Sequence, residues 1–373
     1  MFHAIPDLIR TLVSFGVVLG VLVSIHEFGH YLAARLCGVH VEVFSIGFGQ
    51  ALTSWVDRHG TRWKLAWLPL GGYVKLHGQE RPEDVSDAVR ASWIPGRTFH
   101  EKSVAQRAVV VVAGPLANFF LAMVLFSGLF AVLGKPVMLP VVGAVVHDSA
   151  ADHARLVVGD RIVSIDGQPV HDFEDVQRMV SDRPDATIQL TYEQDGATRT
   201  VSVHIGQHEV NGQKIGLLGI GGGKVEYHHL TLPAALWGGV TQTWDITSQT
   251  VVGVAQMITG QRGTGDLGGP LRIAQLSGQV AELGLASLIS FVAILSVNLG
   301  LINLFPIPVL DGGHLLFYFA EALRGRPLPA RAQEYGFRAG IALLAGLFVF
   351  ATWNDLSQLG AFRWVAKVAG LIG

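Results

Sequence analysis

The sequence TLVSFGVVLGVLVSIHEFGHYLAAR occupies residues 11–35 and carries no charged side chain from Thr11 to Ile25. About 20 helical residues cross the ~30 Å hydrocarbon core of a bilayer, so this run predicts a transmembrane helix. A signal peptide would end at a small-residue cleavage site, whereas this run continues directly into two histidines and a glutamate. We therefore expect a permanent span that carries polar groups.

Three further apolar runs predict a polytopic α-helical membrane protein with about four transmembrane helices. Two of the runs are uncharged, and the third is shorter and ends before an aspartate; they are residues 108–134, 283–310 and 339–354. The chain of 373 residues is 50% hydrophobic and only 15% charged, against about 25% charged in average soluble domains. With 27 basic and 29 acidic side chains it has no cationic surplus for nucleic acid, which is therefore not an expected partner.

Basic residues near the ends of the runs predict the topology. Arginine and lysine are enriched in cytoplasmic loops close to spans. Here they follow the first run, precede the second and separate the third from the fourth: Arg35, Arg90, Arg97, Lys102, Arg107, Arg324, Arg326, Arg331 and Arg338. We expect these loops in the cytoplasm, and residues 135–282 on the opposite, extracytoplasmic side of the membrane.

Residues 135–282 have the composition of a folded extramembrane insertion. Alternation in 141–146 predicts a strand, helices are expected near 151–156 and 173–180, and 187–192 should pair with 198–205. The sequence ARLVVGDRIVSIDGQPV, residues 154–170, resembles bacterial PDZ domains. The predicted domains are the first half of a membrane core at 1–134, a mixed α/β PDZ domain at 135–208, a linker with an amphipathic, membrane-associated helix at 209–282, and the second half of the core at 283–373.

His26, Glu27 and His30 form an H-E-x-x-H motif inside the first run. Imidazoles four residues apart lie on one face of a helix and can bind one metal ion. The alternative is two histidines satisfied inside a helix bundle. Ionisable groups in hydrocarbon are costly, however, unless they are paired, face the bundle interior or bind metal. Because the single cysteine, Cys37, cannot supply a multi-cysteine site, we predict zinc held by His, Asp or Glu.

A catalytic zinc ion needs a third protein ligand, and Asp311 is the best candidate. It ends the third apolar run in the sequence NLFPIPVLDGG, residues 303–313. Pro306 and Pro308 must interrupt helical hydrogen bonding there, and broken backbone at membrane depth is tolerated where it lines a cavity. The alternative is an ordinary interfacial aspartate that caps the next helix. Both His30 and Asp311 are expected near the cytoplasmic edge, so the ligands can meet.

Two stretches after the first span, residues 41–50 and 62–76, alternate or carry glycine turns in the manner of paired strands. They predict a small membrane-associated β-hairpin or sheet. One hypothesis is that its edge binds an extended peptide through main-chain hydrogen bonds. A structural hairpin that caps the cytoplasmic face is an equally good interpretation.

Four features together resemble the site-2 protease family of intramembrane zinc metalloproteases, and most closely its bacterial regulator-of-sigma-E protease group. They are HEFGH in the first run, the element Gly114-Pro-x-x-Asn118, the PDZ insertion, and N-x-x-P-x-P-x-L-D-G beginning at Asn303. The best-known members of this group carry tandem PDZ domains, while this chain has room for one. The resemblance implies that Glu27 is the catalytic base and that the zinc ligands are His26, His30 and Asp311. It also implies that the substrate is bound by Asn303, Pro306 and Pro308.

The resemblance further implies regulated intramembrane proteolysis. The expected substrates are single-span membrane proteins such as anti-sigma factors after a first extracytoplasmic cut, with remnant signal peptides as further candidates. Two alternatives of other classes remain. A membrane zinc transporter would use the His and Asp side chains for translocation, but leaves the spacing of Glu27 and the peptide-binding insertion unexplained. A non-catalytic membrane adaptor would depend on the PDZ unit alone.

Overall fold

The computed structural model describes residues 4–80, 85–210, 213–261, 263 and 268–358. The chain forms two compact units. The first comprises residues 1–127, 239–250 and 264–373, and the second comprises residues 128–238 and 251–263. All of the residues that the sequence predicts for catalysis, metal binding and substrate binding belong to the first unit.

Helices dominate the first unit, and four helices of the described chain are long and apolar enough to cross a membrane. These four are α1 (Ala4–Leu36), α3 (Val104–Val132), α8 (Leu285–Asn303) and α10 (Ala330–Gln358). The remaining helices of this unit are α2 (Asp87–Ala91), α7 (Pro270–Glu282), α9 (Asp311–Arg324) and the central part of α6 (Leu232–Ile258). The prediction of about four spans is confirmed, and the last helix is longer than its apolar run.

The spanning helices leave large apolar side chains exposed on the first unit. Leu12, Val17, Phe120 and Val349 are each more than half exposed. In water such surface costs about 25 cal/mol per Å², whereas in hydrocarbon it costs nothing. The helical backbone also satisfies its own hydrogen bonds, which is what a bilayer requires of a spanning segment.

The third apolar run is divided between a helix and a turn. Helix α8 ends at Asn303, and residues 304–310 form a turn before α9 begins at Asp311. Pro306 and Pro308 have no N–H to continue the helical ladder, as the sequence predicts. Val309 adopts a φ of 92°, which for a β-branched residue is strained by about 1–3 kcal/mol. The turn therefore starts a new helix with an acidic residue at the end of the span.

Two long strands follow α1, namely β1 (Val41–Val56) and β2 (Arg62–Leu76), and they pair in one antiparallel sheet. Bulges bend both strands, so that Phe44 has Val74 opposite it on one flank and Trp63 on the other. The rings of Tyr31, Phe44 and Trp63 lie 4.6–5.7 Å apart between centroids and attach the sheet to α1. The predicted pairing of these two stretches is confirmed, and β1 continues past residue 50.

The second unit is a mixed α/β domain around a four-stranded sheet. The strand order is β6–β5–β7–β8, formed by β5 (Arg161–Ile165), β6 (Gln168–Pro169), β7 (Thr187–Gln194) and β8 (Ala197–His204). Two helices, α4 (Ala150–His153) and α5 (Phe173–Ser181), belong to the same domain. Val176 of α5 packs with Ile162 and Leu190 in the hydrophobic core. Strands and helices lie where the PDZ-like sequence predicts them.

Three short ladders extend the second unit past the predicted boundary at 208. They pair β3 (Lys135–Met138) with β12 (Val225–His228), β4 (Val142–Val145) with β11 (Ile220–Gly222), and β9 (Gly206–Val210) with β10 (Gln213–Leu217). The glycine run near 219–223 is thus partly a strand. Its backbone pairs with β4 and so provides partners for the N–H and C=O groups of that strand.

Candidate metal centre

Helix α1 presents the imidazoles of His26 and His30 on one face, one turn apart. Their Nε2 atoms lie 3.2 Å from each other. His26 is 7% exposed. Nδ1 of His30 lies 2.8 Å from the carbonyl oxygen of Val110 in α3. Because a carbonyl oxygen only accepts, Nδ1 of His30 carries the proton and Nε2 keeps its lone pair for a metal ion.

Helix α9 supplies Asp311 from its first residue. Its Oδ2 lies 3.1 Å from Nε2 of His26 and 3.6 Å from Nε2 of His30. Leu310 is the N-cap of α9, and no side chain caps it. The carboxylate of Asp311 lies against the two imidazoles.

The three donor atoms fit a tetrahedral zinc ion. Their separations of 3.1, 3.2 and 3.6 Å are close to the ligand–ligand distance of about 3.3 Å that bonds of 2.0–2.1 Å produce. Three protein ligands leave the fourth position for water or substrate, as in catalytic zinc sites. In the described part of the chain, His26, His30 and Asp311 are the group of this kind that could hold a metal ion.

Two glycines allow α1 and α3 to approach with the ligands between them. A methyl group on Gly114 of α3 would collide with the ring of His30 and lie 2.9 Å from Nε2 of His26. A methyl group on Gly29 of α1 would collide with the carbonyl of Ala113. The glycines of HEFGH and of the Gly114-Pro-x-x-Asn118 element therefore form the space in which the ligands meet.

Glu27 lies beside the three ligands and in contact with the sheet. Its Oε2 accepts a hydrogen bond from the backbone N–H of Val74 at 3.0 Å. Val74 belongs to the 72–76 part of β2, whose outer flank pairs with no strand of the described chain. A free strand edge is thus placed directly at the carboxylate of Glu27.

The ligands open into a cavity of about 1140 Å³. Glu27, Asn303 and His314 line this cavity together with the three ligands. Pro306 is exposed and Pro308 packs against Gly340 of α10, so these prolines shape the turn and are not among the lining residues. Their role in substrate binding, like that of Asn303, stays a prediction.

A half-buried ion pair in the cavity wall belongs to no motif that the sequence analysis identified. Arg107 Nη2 lies 2.7 Å from Glu321 Oε1, with 17% and 12% of the two side chains exposed. The guanidinium lies 4.9 Å from the ring centroid of Tyr318, and burial raises the pKa of that phenol to about 12. The pair connects α3 with α9, the helix that begins at Asp311. Its one signal is the lone acidic residue in the apolar sequence LLFYFAEAL, residues 315–323.

An H-E-x-x-H helix whose two imidazoles meet a carboxylate, in a chain with four helices apolar enough to span a membrane, is typical of a membrane metalloprotease. The sequence model of Peptidase family M50 matches residues 14–347. The chain belongs to this family and is a zinc metalloprotease with a PDZ-like insertion.

Relatives match over nearly the whole chain. A protein of Rhizobium meliloti whose name describes a zinc metalloprotease is 44% identical, over 95% of this chain and 98% of its own. The regulator of sigma-E protease RseP of Salmonella typhimurium is 32% identical, over 95% of this chain and 100% of its own. The alignment with RseP is 455 positions long, whereas this chain has 373 residues, so the alignment contains gaps in this chain. The solved PDZ domain of an SdrC-like protein from Listeria monocytogenes matches 23% of this chain and 84% of its own, at 20% identity and a TM-score of 0.19.

Replacing Gly114 by alanine should weaken metal binding without unfolding the protein. The added methyl group enters the space of both imidazoles, so we expect zinc affinity to fall by about 10–100-fold, as when the surroundings of metal ligands are disturbed. Metal analysis of the purified protein after dialysis against a graded chelator measures this. Gly128→Ala on the same helix, where no atom lies within 4 Å of the added methyl group, is the control. Equal zinc content in both variants would contradict the tight fit.

Proposed function

We propose that this chain is an intramembrane protease that cleaves transmembrane segments of single-span membrane proteins. The observation that carries the proposal is the contact of His26, His30 and Asp311, within 3.6 Å of one another, at a helix apolar enough to span a bilayer. Imidazoles and carboxylates are costly at membrane depth unless they pair or bind metal. Glu27 beside them supplies the base that a hydrolase needs.

The side chains divide the chemistry between them. When bound, zinc polarises a water molecule and the scissile carbonyl. Glu27 takes the proton from the water and delivers it to the leaving amine. The backbone N–H of Val74 donates to Oε2 of Glu27 and holds the carboxylate beside the imidazoles.

We expect the substrate to bind as an added strand. A helical segment has its carbonyl groups in hydrogen bonds, so it must unwind before it is cut. The outer flank of residues 72–76 offers unpaired main chain next to Glu27. Main-chain hydrogen bonds bind an extended peptide with little dependence on its side chains, which agrees with more than one substrate.

The proposed substrates are anti-sigma factors after a first extracytoplasmic cut, with remnant signal peptides as further candidates. The support is the relative named as a regulator of sigma-E protease. The distribution of arginine and lysine favours an inner-membrane protein with the PDZ-like unit in the periplasm. There it would filter substrates, so that trimmed chains alone reach the zinc site. Trp237 and Trp244 of α6, 69% and 70% exposed, fit a helix at the membrane surface.

Two other functions fit fewer observations. A zinc transporter needs ligands in its spans but has no use for Glu27 against a strand edge. A non-catalytic adaptor has no use for three donor atoms at zinc spacing. The membership in a peptidase family argues against both.

Glu27→Gln should separate all three functions. The amide cannot accept the proton, so cleavage of a single-span substrate should fall by about 10²–10⁴-fold, while zinc content stays normal because Glu27 is not a ligand. The measurement is accumulation of uncut substrate in membranes, together with zinc analysis of the purified variant. Glu174→Gln on α5 of the second unit is the matched control and should cleave normally. Undiminished cleavage by the Glu27→Gln variant would contradict the proposed base, and retained zinc flux would favour the transporter.

Disulfide crosslinking should reveal the added strand. In a Cys37→Ala, Glu27→Gln background, Val74→Cys should crosslink to substrate cysteines placed near the cleavage site. Reactivity should recur at every second substrate position, because side chains alternate between the faces of a strand. Ser54→Cys, on the distant part of β1, is the control and should not react. A helical period of three to four positions, or equal reactivity at both sites, would contradict strand addition.

A further inference from the structure

Asn118 of α3 lies in direct contact with the first metal ligand. Its side-chain amide nitrogen is 3.2 Å from Nδ1 of His26. The residue is 0% exposed. Its Oδ1 is buried and has no hydrogen-bond partner in the described chain. A buried amide oxygen without a partner costs about 1–3 kcal/mol.

The protonation of His26 distinguishes two states of this contact. With Nδ2 of Asn118 toward the ring, Nδ1 of His26 accepts, and the proton of the neutral imidazole resides on Nε2. That nitrogen lies 3.1 Å from Oδ2 of Asp311. In this state Nε2 of His26 has no lone pair for a metal ion.

Metal ligation requires the opposite tautomer. Nε2 must be bare, so the proton moves to Nδ1 of His26, which then needs an acceptor. The amide of Asn118 provides one when it turns by about 180°, because its O and N ends have nearly the same shape. The turn gives Oδ1 a donor in Nδ1–H of His26. His30 already has the equivalent arrangement, with Val110 as acceptor at 2.8 Å.

We propose that Asn118 is the positioning residue of His26, and that its Oδ1 accepts from Nδ1–H of His26 when the metal site is filled. The inference rests on the proposed zinc site and deepens it. Asn118 is not among the residues that line the cavity. It acts through His26 by fixing the tautomer and the orientation of the ring.

The hydroxyl of Ser296 in α8 holds Asn118 from the other side. It donates a hydrogen bond to the backbone carbonyl of Asn118 at 2.8 Å, and Ser296 is fully buried. This contact involves the main chain of Asn118 and leaves its amide free to turn. Ser296 therefore offers a control at the same place in the helix packing that does not reach His26.

The test is the zinc dissociation constant of the full chain in detergent, measured by competition with a chelator. Asn118→Leu removes the acceptor at similar volume and should weaken zinc binding by about 10–100-fold. Asn118→Asp keeps an acceptor and should stay within about tenfold of wild type. Ser296→Ala should lower the unfolding temperature of the metal-free protein and leave the zinc dissociation constant unchanged.

Each outcome separates this inference from the proposed site. Equal zinc affinity in wild type and Asn118→Leu, or equal losses in the Leu and Asp variants, would overturn the role of Asn118. A wild-type protein that binds no zinc, or whose binding survives His26→Ala, would instead overturn the metal site itself. If the leucine variant does not fold, Asn118→Ala, which also removes the acceptor, takes its place with the same expectation.

Discussion

The structure of the first unit depends on the cost of placing ionisable groups in an apolar helix. Two imidazoles and a carboxylate in a span are tolerated only when they pair, face the interior or bind a metal ion. Here His26 and His30 turn inward and meet Asp311, which begins another helix. Three separate elements, α1, α3 and α9, are thereby fixed at one point. The surrounding apolar surface can then face lipid without further polar compensation.

The close approach of these elements follows from small residues and from a strained turn. Gly29 and Gly114 remove the side chains that would separate α1 from α3 or fill the space of the ligands. The two prolines lie in residues 304–310, the turn that follows α8, and Val309 of this turn has a φ of 92°. Strain of this kind persists only where the surroundings fix it, and it is typical of functional sites. The cost is consistent with the need to aim Asp311 at the imidazoles.

Much of this arrangement is predictable from the sequence. The apolar runs, the H-E-x-x-H spacing and the two prolines before Asp311 each have a direct physical consequence. The structure brings His26, His30 and Asp311 together, as the sequence predicts. The paired strands after α1 are predictable from their alternation. The tertiary contacts cannot be predicted from sequence patterns. They include the hydrogen bond from Val74 to Glu27, the ion pair of Arg107 with Glu321, and the extension of the second unit past residue 208. These contacts depend on which chain segments lie next to each other, and the periodicity of a sequence does not predict that.

The coordination of the zinc ion tests the central claim most directly. X-ray absorption at the zinc edge of the purified protein should show one zinc ion per chain, with nitrogen and oxygen ligands at about 2.0–2.1 Å in four-coordinate geometry and the outer-shell scattering of two imidazoles. A sulfur ligand, which would have to be Cys37 or a methionine, would contradict the account. So would a spectrum without two imidazoles, or a protein that retains no zinc.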